Sequence, residues 1–439
     1  MGFEFNGVGY AWEMHLVGLL FLSHLSHSAT VNCQAEPVTV FTDATVVLRE
    51  GKTISNGMVV IQGEKIISVS ESGTVPTDAK VISLKGKTIY PGFIDGYVGK
   101  GVKSPPAPSE AGKPNNTIAA PSSLWVGNRK GIAPEWKASE NLDFSPDSSD
   151  LKNGFTAGYL SYGSGGMKGI GAVVAYSDSK VAGRILNKEL GCGMSFKSGS
   201  GTGYPSNILG QIALLRQVLA DAKSVADGGK LFEGDRPSWM NSLDSLQPVI
   251  KKEQPVFFEA NLEREIERAY RLQSEFGFKM VLVGGRDAYK WSALVGQSKT
   301  PVILNMDLPS EPSMTISPTD TTPQEFKVQR YELWQAQMTT PKMLADLGID
   351  LAFTSGSSGS EFWTNVRRSG LTEVQVLRGL TTIPAKLLGV EAELGSIESG
   401  KRASIVIASG PLLDAETKIE QVWVSGKQMF PKPEEKPSK

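Results

Sequence analysis

Much of metal-dependent and nucleophilic hydrolysis leans on histidine, and this chain of 439 residues has three, His15, His24 and His27, all close to its start. Imidazole is neutral at working pH and offers a nitrogen lone pair to borderline metals. Beyond His27, then, a His-based zinc site, a Ser-His-Asp triad and a Cys-His pair are all excluded. Two cysteines, Cys33 and Cys192, rule out a disulfide framework. Cys192, set in Gly191-Cys-Gly193, reads as a flexible-loop thiol. Carboxylates remain: Asp95, Glu135 and Glu259 fall near the ends of strand-like runs and are the candidates for an oxygen-only cation site. Asp95 reads equally as a helper of strand-end geometry, and Glu259 as a helix cap or an arginine partner. Arg129, Arg216 and Arg286 are candidates for holding an anionic ligand, each weighed against a surface ion pair. The glycine-rich stretches 163–166 and 199–203 lack the lysine of a phosphate loop and read as turns.

Residues of this kind need elements to hold them. Between positions 38 and 89, short β-rich runs (38–41, 44–48, 57–62, 65–69, 80–84) alternate with turns, which predicts a small antiparallel sheet. The same texture returns at 403–408, 420–424 and a final hairpin at 424–429, so one β domain is completed by both termini. The middle alternates strand-like runs (255–259, 279–283, 301–305) with amphipathic helices, the pattern of a parallel sheet with crossover helices. One helix is expected over 263–276 with Ile266, Ala269, Tyr270 and Phe276 on one side. Another is expected from 207 to about 223, capped by Ser206, with a stripe of Ile208, Ile212, Leu215 and Leu219. Stretches 103–116 and 310–322 read as long surface loops.

Composition sets outer limits. Forty-five basic residues against 46 acidic give a formal charge of −1, with 40% hydrophobic residues, so no polyanionic partner is indicated and nucleic-acid binding is set aside. The apolar run from His15 to Ser23, followed by Ser28, Ala29 and Ala35, reads as an export signal. Glu4 and Glu13 replace the usual basic flank, which is consistent with a start at Met14; an uncleaved apolar N-terminal helix is the alternative. The expected product is periplasmic or extracellular, without an integral membrane span after processing.

Two boundary motifs then carry a resemblance. Gly86-Lys-Thr-Ile-Tyr-Pro-Gly-Phe-Ile-Asp95 resembles the passage from β-sandwich into first barrel strand in the amidohydrolase superfamily. Leu380-Thr-Thr-Ile-Pro-Ala-Lys-Leu-Leu-Gly389, with Leu394-Gly-Ser-Ile-Glu-Ser-Gly-Lys-Arg-Ala403 after it, resembles the return into that sandwich. In Ile132-Ala-Pro-Glu-Trp136, Gly154-Phe-Thr-Ala157, the run from Tyr204 to Gln217 and Val281-Leu-Val-Gly-Gly285, the middle of the chain is similar to imidazolonepropionase-like and divergent extracytoplasmic members. The resemblance implies an α/β fold, a (β/α)8 TIM-like barrel with a small β-sandwich formed by both termini. It also implies boundaries: signal peptide 1–35, sandwich 36–90, barrel 91–390, sandwich 391–431 and a disordered tail 432–439.

The resemblance implies hydrolysis of amide-like carbon–nitrogen bonds other than peptide bonds, and of related ester bonds, with one or two divalent metals that acidify a water and polarise a carbonyl. A His-x-His pair on the first strand and an aspartate on the last supply ligands. Here Tyr97 and Gly99 stand in place of the pair, Gly284-Gly-Arg286 falls at a later ligand strand, and Gly356, or Ser355 in a shifted register, replaces the aspartate. What is expected is a metal-free, catalytically degenerate homologue with no cofactor, binding a small ligand or a partner such as an active amidohydrolase paralogue, or forming a homo-oligomer. The alternatives are an active amide or imide hydrolase using atypical residues, and a structural exported protein. A barrel of this type carries its pocket at the C-terminal ends of the strands. The expected lining is therefore Tyr97, Glu259, Arg286, Asn305 and Ser355, with Arg129, Glu135 and Arg216 as neighbours. A phenol at position 97 would satisfy acceptors without a cation. Ala at Glu259 or Arg286 is expected to abolish ligand-induced stabilisation while sparing the unliganded melting temperature.

Overall fold

The computed structural model describes residues 36–49, 51–105, 131–146, 148–178, 181–199, 204–229, 240–315, 320–356 and 361–433. The apolar N-terminal run, Cys33, Arg129 and all but the start of the charged tail lie outside the described residues.

In chain order the strands are β1 Val38–Arg49, β2 Lys52–Gln62, β3 Lys65–Ser70, β4 Lys80–Ser83 and β5 Thr88–Pro91, then the barrel set, then three more at the end. The barrel set is β6 Phe93–Val98, β7 Phe155–Leu160, β8 Met167–Ala175, β9 Ile185–Ser195, β10 Val256–Ala260, β11 Met280–Gly284, β12 Val302–Asn305 and β13 Leu351–Thr354. The last are β14 Ile405–Ala408, β15 Ile419–Val424 and β16 Lys427–Phe430.

Strands from both ends of the chain make one sheet in the order β16-β15-β14-β5-β1-β2-β3, with β4 alongside β1. Along a flat sheet β15 and β1 would be about 14 Å apart, at the usual strand spacing. Yet the rings of Trp423 on β15 and Phe41 on β1 meet edge to face at 5.1 Å. The sheet therefore folds over on itself, closing Phe41, Val46, Ile61, Ile89, Ile405 and Ile407 into a core. The two expected runs 38–41 and 44–48 are one continuous strand here: around Asp43, with its positive φ of 64°, the pairing with β2 shifts register by one residue and then resumes.

The second sheet runs β13-β12-β11-β10-β9-β8-β7-β6 and curls into a barrel. Its inward positions alternate as a pleated strand requires, stacking Ile94, Ala157, Tyr159, Val173, Phe257, Val281, Ile303 and Ala352 into a filled interior. Tyr159 and Phe257 stack there with centroids 4.2 Å apart. At the seam, Thr354 Oγ1 donates to the Tyr97 carbonyl at 2.6 Å, and the Ser355 hydroxyl and amide donate to Asp95 at 2.6 and 3.2 Å. Gly96 permits this approach, since a Cβ there would sit 2.7 Å from Ile303 Cγ2 and 3.1 Å from the Phe353 carbonyl.

One strand departs from the expected all-parallel repeat. β8 runs antiparallel to both β7 and β9, whereas the other neighbouring pairs in the barrel are parallel. The cause is connection length: a glycine-rich turn joins β7 to β8, and one turn of helix, Val181–Arg184, lies between β8 and β9. Neither is long enough for a crossover, so the chain must return as a hairpin.

Two helices shape the barrel mouth. Helix α1, Ile208–Ala226, is capped by Asn207, whose side-chain oxygen accepts the Gly210 amide at 2.9 Å, one residue later than the expected Ser206. Helix α2, Glu263–Phe276, has the expected bounds, and its Glu265 carboxylate accepts the amides of Asn261 and Leu262 at 2.9 and 3.1 Å. Among the described residues no helix is long and apolar enough to cross a membrane.

Candidate functional site

Strand alternation places Glu259 two residues beyond the buried Phe257, hence on the same inward face and one layer nearer the barrel mouth. Four groups converge there. The Tyr97 hydroxyl donates to Glu259 Oε1 at 2.6 Å, the Lys168 ammonium makes a very short contact with the same oxygen, and the Lys197 ammonium lies 3.0 Å from Oε2. The Lys168 ammonium also stands 5.9 Å from the centre of the Tyr97 ring. Lys168, on β8, is fully buried, while Lys197, just beyond β9, is 67% exposed. The Ser161 hydroxyl is buried beside them and makes no hydrogen bond of normal geometry.

Burial dominates the electrostatics of this cluster. It pushes the Glu259 carboxyl up, but the charges of Lys168 and Lys197, with hydrogen bonds from Lys168 and Tyr97, outweigh it and hold the group below its ordinary range. Burial pushes Lys168 down against the opposing pull of Glu259. Burial and then the Glu259 charge drive the Tyr97 phenol well above its ordinary value, keeping it a neutral donor. Beneath the seam, burial lifts Asp95 to about 6, although Ser355, Thr354 and the amides of Ser355 and Tyr97 pull the other way.

Above Glu259 opens a cavity of about 450 Å³ at the C-terminal ends of β9 to β12. Of the expected lining, Glu259, Arg286 and Asn305 border it. Tyr97, 6% exposed, lies under Glu259, and Ser355 turns to Asp95 rather than to the cavity. Glu135 is elsewhere, accepting the Ser242 hydroxyl at 2.8 Å. Arg216 corrects the expectation most plainly: on α1 it pairs at 2.7 Å with Glu275 of α2, a contact between exposed helix faces. The positions expected in place of metal ligands differ in character. Gly99 is exposed beyond β6, whereas Gly356 has φ of 73°, and a Cβ there would come 2.5 Å from Asn305 Oδ1. Cys192 is not on a loop: it lies buried within β9, where burial pushes its thiol up to about 12.

Sequence reasoning missed both lysines. A signal existed for Lys168, the one charged residue in a nine-residue strand that is buried at every position, because lysine is almost never buried unpaired. Lys197 carried none, lying at the edge of a glycine- and serine-rich stretch of sequence.

These side chains do not fit a divalent metal. Glu259 already accepts two ammonium groups, Asp95 accepts three donors from the seam, and no cluster of three His, Cys, Asp or Glu occurs among the described residues. A dication beside Glu259 would face two like charges a few ångströms away.

The Amidohydrolase family model matches residues 319–429, which run from the helix before β13 into β16. A solved amidohydrolase from Thermotoga maritima MSB8 superposes with a TM-score of 0.66 at 25% identity, over 89% of this chain and 99% of that one. The chain belongs to the amidohydrolase superfamily. Within the superfamily it is 32% identical over 101 residues to the imidazolonepropionase of Treponema denticola, a stretch covering 20% of this chain and 24% of that protein. It is 36% identical over 61 residues to a putative N-acetylgalactosamine-6-phosphate deacetylase of Escherichia coli (strain K12), covering 14% of this chain and 34% of the relative. The aligned stretches thus span about a third and about a quarter of these curated relatives. A putative prolidase from Bifidobacterium longum shares the fold, with a TM-score of 0.51 at 14% identity over 91% of this chain and 97% of its own.

Proposed function

We propose that this amidohydrolase-superfamily chain is a metal-free, catalytically degenerate homologue that binds a small anionic ligand at the mouth of its barrel. The observation that carries the reading is the Lys168–Glu259–Lys197 cluster with Tyr97. Lysine ammonium supplies the positive charge that a hydrolase of this family would take from a metal. It is supplied without an acidified water, which is what hydrolysis needs. This differs from the phenol-only site expected at position 97, for a cation is retained and is covalently part of the chain.

Ligand binding is supported by what is left uncommitted above the cluster. Lys197 is largely exposed. Arg286 lines the cavity, its Nε is shielded from solvent without a hydrogen-bond partner, and its contact with Asp287 is 3.7 Å, too long for a hydrogen bond. An anion between these groups would gain charge-assisted hydrogen bonds. Elemental analysis of gently purified protein, with assays on a dihydropyrimidine, an imide and a dipeptide, tests the reading. No stoichiometric zinc, iron or manganese and no turnover are expected; about one equivalent of tightly held metal, or measurable hydrolysis, overturns it.

Export is part of the same proposal and rests on the apolar run from His15 to Ser23. N-terminal sequencing of envelope material should find cleavage between Ala29 and Ala35. An intact Met1 or Met14 in a cytoplasmic fraction would remove this element.

A further inference from the structure

We infer that the ligand of this cavity is a carboxylate with an apolar body, a step that rests on the anion-binding reading above. The cavity is divided by chemistry according to strand order. From the β9 and β10 side come Phe196, Ile208 at the start of α1 and Leu262 just before α2; from the β11 and β12 ends come Arg286 and Asn305. Lys197 and Glu259 lie between. The ring of Phe196 is held against Phe258, centroids 5.0 Å apart, so the apolar wall has a fixed member. Leu262 is 47% exposed, leaving apolar surface open at the mouth of a polar cavity. A ligand that covers it removes that surface from water.

The acids of the lining select the charge of the ligand. Glu259 is neutralised by two lysines, and Glu265 is committed to the amides of Asn261 and Leu262. Lys197 and Arg286 therefore favour an anionic group and oppose an ammonium. One carboxylate toward Arg286, Asn305 and Lys197, with the hydrocarbon against Phe196, Ile208 and Leu262, satisfies both walls. A volume of about 450 Å³ suits a ligand of small-drug size.

The test is calorimetric titration of the full chain with 4-phenylbutanoate, succinate and 4-phenylbutanol, on the wild type and on Leu262→Ser. Leu209→Ser serves as control, since Leu209 is 71% exposed and does not line the cavity. 4-Phenylbutanoate should bind the wild type and the control alike, at least tenfold more tightly than either other probe. Leu262→Ser should weaken it roughly fivefold, the effect of about 40 Å² of lost apolar contact. Succinate binding as tightly as 4-phenylbutanoate overturns the apolar-body inference and leaves the anion-binding reading standing. Phenylbutanol binding as tightly as the acid, or binding by none of the three, overturns the anion-binding reading itself.

Discussion

The Lys168–Glu259 pair makes a quantitative demand on stability. Removing the carboxylate by Glu259→Ala leaves the Lys168 ammonium fully buried with no counter-charge. Breaking a buried pair from one side costs about 3–5 kcal/mol, because the remaining charge loses its compensation while still desolvated. The Lys197 contact contributes little to this figure, since that side chain is 67% exposed and such pairs are worth under about 1 kcal/mol. Lys197→Ala should accordingly cost under about 1 kcal/mol. A double replacement, Lys168→Met with Glu259→Gln, removes both charges and keeps much of the volume, so it should cost far less than its two parts summed, with a coupling of at least about 2 kcal/mol. Urea unfolding at pH 7, followed by tryptophan fluorescence on the four proteins of the cycle, measures this directly. If Glu259→Ala costs under about 1 kcal/mol, or if the two changes add within about 0.5 kcal/mol, the ion pair is not what holds this layer of the barrel. The structure thus reverses the expectation that Glu259→Ala would spare the unliganded protein. That expectation now applies to Arg286, whose side chain is 35% exposed and only loosely paired.

Further outcomes follow from the buried titratable groups. Asp95, raised from 3.8 to about 6, favours its protonated form when folded; the associated stability is complete below about pH 3.8 and is lost as pH rises through about 6. Compared with Asp95→Asn, which cannot titrate there, the wild type should therefore lose about 2.5 kcal/mol between pH 4 and 7.5. A pH-independent difference between the two denaturation midpoints would contradict this. Cys192, with its thiol at about 12, should stay unlabelled by a thiol-specific disulfide reagent at pH 8 in the native protein and react promptly in urea; fast native labelling would show that β9 opens. Gly356→Asp would put a carboxylate where the resemblance implies one, but it places a side chain where φ is 73° and Asn305 leaves 2.5 Å, so urea unfolding should show a loss of about 1–3 kcal/mol and elemental analysis no bound metal.

The parts of the fold that could be read in advance are those with strong periodicity. Helix α2 has the bounds its apolar spacing and acidic first turn predict, and β10 to β12 fall within a residue of their β-branched runs. Pairing direction was not legible at β8, because an apolar strand reads the same in either sense and only the length of its connections reveals the hairpin. At the site, Glu259, Arg286 and Asn305 could be found by the rule that pockets follow strand ends. Lys168 could not, since it reaches the same point from within an antiparallel strand that this rule does not cover. Arg216 took the surface ion pair weighed against ligand binding: on a helix surface a lone arginine meets a neighbouring helix's glutamate more readily than a ligand.

The pairing of β5 with β14 has a consequence for how the protein is made. Residues 88–91 find their ladder partners in residues 405–408, with the whole barrel between them in sequence. On the ribosome, the first five strands emerge long before the strand that covers β5, leaving a hydrophobic edge of Ile89 and Tyr90 unpaired throughout barrel synthesis. The nascent chain thus has a built-in interval of vulnerability to edge-to-edge association, which ends when β14 leaves the exit tunnel.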